Sequence, residues 1–201
     1  GKEIILCDAE TDEDLRAMTQ LASRLPARIL WAGAAGLAIA LADFFPADQP
    51  AQPQVCSQQI DSTLVISGTA HKVTQLQLKH LLNTPQAITL DTDSQGLNGH
   101  SCGVLQIPYV ERDTASIRSL WQRMDPKPGA LVLTGGDTAA MALDALGGEA
   151  IVLKGEVSPG IPWGIVEGGL ANGCAVVTKS GGFGGETSLL AAVTFLRGQR
   201  P

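Results

Sequence analysis

The sequence predicts an α/β protein with a mostly parallel sheet that has helices on both faces, preceded by a βαβα remnant of a second α/β domain. Short apolar runs alternate with segments of helical periodicity, which is typical of strands joined by crossover helices. The apolar runs are almost continuous, as in strands that are buried on both faces. Glycine accounts for 23 of the 201 residues, and several glycines directly follow the predicted strands.

The first part of the chain contains two strand–helix pairs. A helix from Thr11 or Asp12 is favoured because both side chains are good N-caps, and an Ala- and Leu-rich segment predicts a second helix. In order, the predicted elements are strand 3–7, the helix to about residue 23, strand 28–32 and helix 34–45. The predicted strand at 3–7 follows only two residues with no initiator methionine, so we expect the chain to be a fragment of a longer protein.

A proline-rich segment separates this part from the rest of the chain. Residues 46–54 contain three prolines among Gln, Ala and Asp, which is the composition of a linker. We therefore predict a domain boundary there, which separates residues 1–46 from residues 54–201.

The second part contains the longer alternation of strands and helices. The predicted strands are 63–66, 87–90, 104–107, 130–133, 151–154, 163–167 and 175–178. The predicted helices are 73–82, from 113 or 114 to 124, 138–146 and 187–196. The Gly147-Gly148 pair is expected to end the third of these helices.

Composition and charge exclude several classes of protein. Lys and Arg number 14 and Asp and Glu number 20, so the net charge of −6 disfavours a nucleic-acid partner. The apolar stretch at 29–45 is interrupted by glycines and an aspartate, so we expect no membrane partner. The four cysteines form no CxxC pair, which argues against a zinc ribbon and fits a reduced, cytoplasmic location. Cys7 and Cys174 lie in apolar runs and are expected to be buried.

Three strand-to-helix turns consist of glycine, hydroxyl and charged residues. They are Ser67-Gly68-Thr69, Gly135-Gly136-Asp137-Thr138 and Lys179-Ser180-Gly181-Gly182-Phe183-Gly184. In an open α/β sheet, ligands bind beyond the carboxyl ends of the strands. A glycine turn allows close approach to the backbone, and the helix that follows offers unpaired amides to an anion. Three such turns at one sheet edge could surround a polyphosphate.

Each turn also has a purely structural interpretation. Lys179 offers a positive charge beside four glycines, but it precedes them, so the turn is not a Walker A loop and the lysine could simply be exposed. Asp137 could hold Mg²⁺ between itself and a phosphate, or act as an ordinary helix N-cap. Ser67 and Thr69 are residue types that cap helices routinely. Trp163 could form part of an adenine pocket or belong to the core.

Three motifs in order resemble the signatures of the four-carbon acid sugar kinase family, formerly known as a domain of unknown function (DUF1537). These motifs occupy residues 131–139, 156–162 and 177–184. The resemblance extends over essentially the whole chain. The segments 8–10 and 33–37 resemble the end of the family's N-terminal substrate domain. The resemblance therefore implies that residues 1–46 are the C-terminal remnant of that domain and that residues 54–201 form a nucleotide-binding domain. Ala34 and Thr69 stand where the family often has serine, so Ala34 loses a hydroxyl group that Thr69 keeps.

The resemblance implies ATP-dependent phosphorylation of a tetronate on its terminal hydroxyl, with the three turns lining the ATP site. It also implies that the first half of the substrate domain is missing, so we expect little activity from this chain alone and allow for a homo-oligomer. The expected cofactors are ATP and Mg²⁺, the latter held by Asp137. The alternative is a stand-alone module that binds a nucleotide or a phosphorylated metabolite without catalysis.

Overall fold

The computed structural model describes residues 4–26, 28–45, 56, 60–107 and 114–198. The chain divides into two compact units, Gly1–Gln52 and Pro53–Pro201. None of the helices in these described ranges is long and apolar enough to cross a membrane.

The first unit contains two helices, α1 (Asp12–Ala22) and α2 (Ala35–Phe44). Thr11 is the N-cap of α1, and its side chain and that of Asp14 form a reciprocal capping box, which satisfies two backbone donors. The hydrogen bonds that Asp14 accepts from Thr11 lower the pKa of its carboxyl group. Both helices lie where the sequence predicts them.

The strands predicted at 3–7 and 28–32 are not present in the part of these segments that the structure describes. Residues 4–7 and 28–32 carry no strand pairing among the described residues, and Ile4, Leu6 and Leu30 are about nine-tenths exposed. Cys7, in the first of these segments, is exposed and not buried as predicted, whereas Cys174 is buried as expected. An apolar run indicates a tendency to be buried, but a strand also needs a neighbour that completes its hydrogen bonds.

The second unit contains seven strands and four helices in the residues that the structure describes. The strands are β1 (Thr63–Ser67), β2 (Ala87–Leu90), β3 (Cys102–Gln106), β4 (Ala130–Thr134), β5 (Ala150–Ser158), β6 (Ile161–Glu167) and β7 (Ala175–Lys179). The helices are α3 (Lys72–Leu82), α4 (Thr114–Arg123), α5 (Gly136–Leu146) and α6 (Ser188–Leu196). Each corresponds to an element that the sequence predicts, with bounds that differ by a few residues.

The seven strands form one sheet in the order β2-β3-β1-β4-β7-β6-β5. The first five strands in this order are parallel, and β6 and β5 extend the sheet as antiparallel neighbours. The predicted α/β class with a mostly parallel sheet is confirmed. The antiparallel pair follows from the short connection between β5 and β6, which is a hairpin and not a crossover.

Helices cover both faces of the sheet, as predicted. On β1, Leu64 and Ile66 belong to a cluster with α4 and α5, whereas Val65 belongs to a cluster with α3 and α6. Successive residues of a strand point to opposite faces, so one strand contributes to both cores. Burial on both faces explains why the strand sequences are almost continuously apolar.

Candidate functional site

The structure places all three glycine-containing turns at one edge of the sheet. The strands that precede them, β1, β4 and β7, are parallel neighbours. Their last residues are in register, with Ser67 opposite Thr134 and Thr134 opposite Lys179. The turns that follow therefore begin side by side, at the edge where open α/β sheets bind their ligands.

The turns are packed so closely that a side chain at Gly68 or Gly181 would collide with a residue of a neighbouring turn. A Cβ atom on Gly68 would lie 2.6 Å from the Thr138 Oγ1, and one on Gly181 would lie 2.7 Å from the Thr69 Oγ1. The Gly135 amide donates to the Lys179 carbonyl oxygen at 2.8 Å, which joins the second turn to the third. The three turns therefore form one surface.

Buried side chains hold the carbonyl groups of the third turn. Thr74 and Gln77 approach from α3, and Lys179 approaches from the end of β7. The bonds are Thr74 Oγ1 to Gly181 (2.7 Å), Gln77 Nε2 to Phe183 (3.0 Å), Gly184 (3.3 Å) and Gly185 (2.8 Å), and Lys179 Nζ to Ser180 (2.7 Å) and Phe183 (3.2 Å). Five carbonyl groups of the turn are thus directed at the interior.

The amide groups of the same peptides point the opposite way, because C=O and N–H lie on opposite sides of a planar trans peptide. These N–H groups belong to residues 181, 182, 184, 185 and 186. None of the five has a hydrogen-bond acceptor in the part of the chain that the structure describes. A group of unpaired backbone donors in a glycine-rich turn is suited to bind an anion such as phosphate.

Lys179 lies inside the turn and not on its surface. Its side chain is 3% exposed, and its ammonium group donates to the two carbonyl oxygens named above and, at 3.4 Å, to the Thr74 hydroxyl. Burial lowers the pKa of Lys179 from 10.5 to about 8. In this position, the lysine orients the backbone of the turn. Its ammonium group is not itself exposed at the surface.

The second turn starts α5 earlier than predicted. The helix begins at Gly136 and not at residue 138, and its N-cap is Gly135, whose φ of 100° lies in the region that favours glycine. Asp137 is therefore the second residue of the helix and not its N-cap. Its side chain is exposed in the first turn, where the helix dipole favours a carboxylate and a bound anion alike.

The remaining predicted site residues divide into buried and exposed groups. Ser67 and Thr138 are buried, 2% and 5% exposed, and Thr69 is half-buried. The exposed group comprises Gly136, Ser180, Gly182, Phe183 and Gly184. The buried residues shape the turns, and the exposed ones form the outer surface of this edge.

Phe183 is the aromatic side chain of this edge. It is 46% exposed, and its ring lies against Gly160 in the β5–β6 hairpin, where an added Cβ would be 2.9 Å from the ring. Trp163, by contrast, is buried and packs edge-on against Phe195, with ring centroids 5.5 Å apart. Trp163 therefore belongs to the core.

Sequence reasoning missed Thr74 and Gln77 as parts of the site. Both are fully buried polar residues, three positions apart on one face of α3. Two polar residues at helical spacing among the apolar residues of the buried face of α3 could have identified them from the sequence, because buried polar groups require partners. The same helix begins with His71 as its N-cap, whose Nδ1 accepts from the Val73 amide and whose ring lies beside Gly182.

A second concavity lies near the opposite ends of the strands. Its volume is about 500 Å³, and its lining includes Asp61, His100 and Asp125. No group of three His, Cys, Asp or Glu side chains suited to a metal occurs among the described residues. His100 is engaged with the Pro85 carbonyl oxygen at 3.1 Å. The cavity shares none of the site residues predicted from the sequence, so we place the candidate site at the glycine turns.

Comparison with known proteins identifies a matching domain family and curated relatives. Residues 109–189 match a family model described as a nucleotide-binding C-terminal domain, which includes the second and third turns. Two curated relatives are named D-threonate kinase. The Salmonella typhimurium relative is 27% identical over 98% of this chain and 55% of its own length. The Bordetella bronchiseptica relative is 28% identical over 98% of this chain and 53% of its own length.

The fold of the chain is similar to that of solved structures of DUF1537 proteins. A crystal structure of a DUF1537 protein from Bordetella bronchiseptica, described as a domain-swapped dimer with bound citrate, is 28% identical and covers 96% of this chain and 51% of that chain, with a TM-score of 0.57. A DUF1537 protein from Haemophilus influenzae, 16% identical, covers 94% of this chain and 52% of that chain and shares the fold with a TM-score of 0.63. The present chain spans about half the length of the curated relatives it matches.

Proposed function

We propose that the three glycine-containing turns bind the phosphates of ATP, because residues 109–189 match a nucleotide-binding C-terminal domain and the relatives of the chain include D-threonate kinases and a DUF1537 protein. On this proposal the chain is the ATP-binding part of a kinase that phosphorylates a four-carbon sugar acid on its terminal hydroxyl. The D-threonate kinases among its relatives support this substrate class.

The observation that carries the proposal is the direction of the amides in the third turn. Five N–H groups that have no acceptor among the described residues face away from the side chains that hold the carbonyls of the same peptides. The N-terminus of α5, which follows the neighbouring strand of the sheet, adds the positive end of a helix dipole. Together these features form a surface suited to a chain of phosphate groups.

Phosphoryl transfer depends mainly on positioning and electrostatic stabilisation, so a rigid set of donors is the contribution that such a kinase needs from this domain. ATP, when bound, supplies the phosphoryl group that is transferred. The turn amides would bind the phosphate oxygens, and Phe183 offers an exposed aromatic surface at the same edge.

Asp137 is the residue proposed to hold Mg²⁺. Its carboxylate is exposed in the first turn of α5, beside the amides proposed to bind phosphate. Mg²⁺ is commonly bound through one or two carboxylates together with substrate phosphates. The described residues offer no cluster of three such ligands, so Mg²⁺ would bind here together with the nucleotide and not alone.

The partners proposed for the chain are ATP or ADP, the sugar acid and a second copy of the chain, without nucleic acid. The DUF1537 protein from Bordetella bronchiseptica, described as a domain-swapped dimer, supports self-association. The four free cysteines, with no disulfide in the described residues, support a reduced, cytoplasmic location.

Calorimetric titration with ADP tests the nucleotide and metal roles together. We expect the wild-type chain to bind ADP and Mg²⁺ to raise this affinity about tenfold or more, because the ion links the phosphates to a carboxylate. In Asp137→Asn the gain from Mg²⁺ should fall to about twofold, because an amide is a weaker ligand for a hard cation.

Asp144→Asn is the matched control, because it removes the same charge from the same helix near its other end. This variant should keep the wild-type response to Mg²⁺. Absence of ADP binding by the wild-type chain would refute the nucleotide role. An unchanged Mg²⁺ response in Asp137→Asn would refute the metal role alone.

A further inference from the structure

Gln77 makes an unusual set of contacts for a residue outside the turns. Its side chain is fully buried in α3, and its single Nε2 group lies 2.8–3.3 Å from three consecutive carbonyl oxygens, those of Phe183, Gly184 and Gly185. The three oxygens converge on one amide group. Only the NH₂ end of the side chain can donate to them, so the contacts also fix the orientation of the amide.

This convergence helps to determine where three backbone donors point, because the two hydrogens of the NH₂ group are shared among the three oxygens, and Lys179 also donates to the Phe183 carbonyl oxygen at 3.2 Å. Each carbonyl held by Gln77 forces the N–H of the following residue to the opposite side of its peptide plane. The donors concerned are the amides of residues 184, 185 and 186. They make up most of the five unpaired N–H groups of the turn, and the other two follow the carbonyls held by Lys179 and Thr74.

The turn needs such a restraint because glycine has the greatest conformational freedom of any residue. Gly184 and Gly185 are exposed, and neither has a side chain that could pack against the protein. Without the restraint, the turn would have to become ordered when an anion binds, and that ordering weakens affinity. A buried amide that holds three carbonyls in the free protein removes much of this loss.

The carbonyl end of the Gln77 side chain shows that only its NH₂ group forms hydrogen bonds within the described residues. The Gln77 Oε1 is buried and has no hydrogen-bond partner among the described residues. An unpaired buried acceptor costs free energy that an apolar side chain of similar length would avoid. At this position, the cost of the unpaired Oε1 therefore accompanies the donor contacts of the same amide group.

We infer that Gln77 is a positioning residue that presents the amides of residues 184–186 to the phosphates of the nucleotide, an inference that rests on the proposed function of the same turn. Gln77 does not touch the ligand. It acts through the backbone of the turn, and its loss lowers affinity for phosphate groups specifically.

Two substitutions test this role. Gln77→Met keeps the length of the side chain and removes the donors, so calorimetry should show at least a tenfold loss of affinity for ADP and for pyrophosphate. Gln77→Glu keeps the shape but brings a carboxylate toward three carbonyls. Since a protonated carboxyl group can donate one hydrogen bond, ADP affinity relative to wild type at the same pH should recover as the pH is lowered.

Ile117→Val, which shortens a buried side chain in α4 on the other face of the sheet, is the control for lost stability. It should destabilise the chain in denaturant titrations and keep the wild-type affinity for ADP. If Gln77→Met binds ADP and pyrophosphate within twofold of wild type, the positioning role is wrong.

A readout on the ligand-free protein separates this inference from the proposed function. NMR order parameters of the amides of residues 184–186 should fall in Gln77→Met, because the turn loses its restraint. If the wild-type chain binds no ADP and these order parameters still fall, the nucleotide role fails, whereas the restraint of the turn by Gln77 is supported. Unchanged order parameters would overturn the positioning role.

Discussion

Replacing Gly182 by aspartate is expected to abolish nucleotide binding while leaving the fold intact. The carboxylate would occupy the surface where the turn amides face outward, and two unit charges about 4 Å apart repel each other by about 4 kcal/mol at an effective dielectric constant near 20. We therefore expect affinity for ADP to fall by about 100-fold or more. Gly182 is exposed, so the free energy of unfolding should change by less than about 1 kcal/mol.

Gly182→Asn is the matched control, because it has nearly the same shape and no charge. A Cβ atom at this position would lie 3.3 Å from the His71 Nε2, at the end of an exposed side chain that can move. Calorimetry should show less than about a tenfold loss for the Asn variant. Equal affinities for the Asp and Asn variants would show that no phosphate group binds near Gly182.

The second large effect concerns the pH dependence of stability at Lys179. Burial lowers its pKa from 10.5 to about 8 in the folded chain, so between these values the unfolded chain binds more protons. Stability then rises with pH across this window, because the cost of burying the charge is fully present below pH 8 and disappears as the folded chain loses the proton. The difference between the two pKa values corresponds to a change of roughly 3 kcal/mol in the free energy of unfolding.

Comparison with Lys179→Met isolates this contribution. The free energy of unfolding of wild type relative to the Met variant, from denaturant titrations, should increase between pH 8 and about pH 10.5. Lys127→Met is the control for removal of an amine, because Lys127 also donates to two carbonyl oxygens but is exposed. If the difference in the free energy of unfolding between wild type and Lys179→Met stays constant across this pH range, the Lys179 charge is not desolvated in the folded chain.

Most of the second unit could be predicted from local sequence. Its strands are short apolar runs and its helices have helical periodicity, and the glycine turns follow β1, β4 and β7 as expected. The start of α5 is harder to place because Gly135 and Gly136 indicate a turn, whereas one of them is the N-cap and the other is already helical. Local pattern alone does not separate these two roles.

The first unit shows what an apolar run does not predict. The segments at 3–7 and 28–32 have the composition of strands, but strand formation depends on hydrogen bonds to a neighbour, which composition does not specify. The network that orients the third turn escapes sequence reasoning for a related cause. Gln77 and the carbonyls it holds are 106 to 108 residues apart in sequence, so only the topology of the sheet brings them together.

Binding of phosphate by the backbone amides of the third turn can be observed at each amide by NMR. ADP with Mg²⁺ should be titrated into ¹⁵N-labelled protein, with adenosine as the comparison that lacks phosphate. We expect ADP, and not adenosine, to shift the amide resonances of Gly181, Gly182, Gly184 and Gly185. If ADP leaves these resonances unchanged, or shifts only those near the cavity lined by Asp61 and Asp125, the proposed site is wrong.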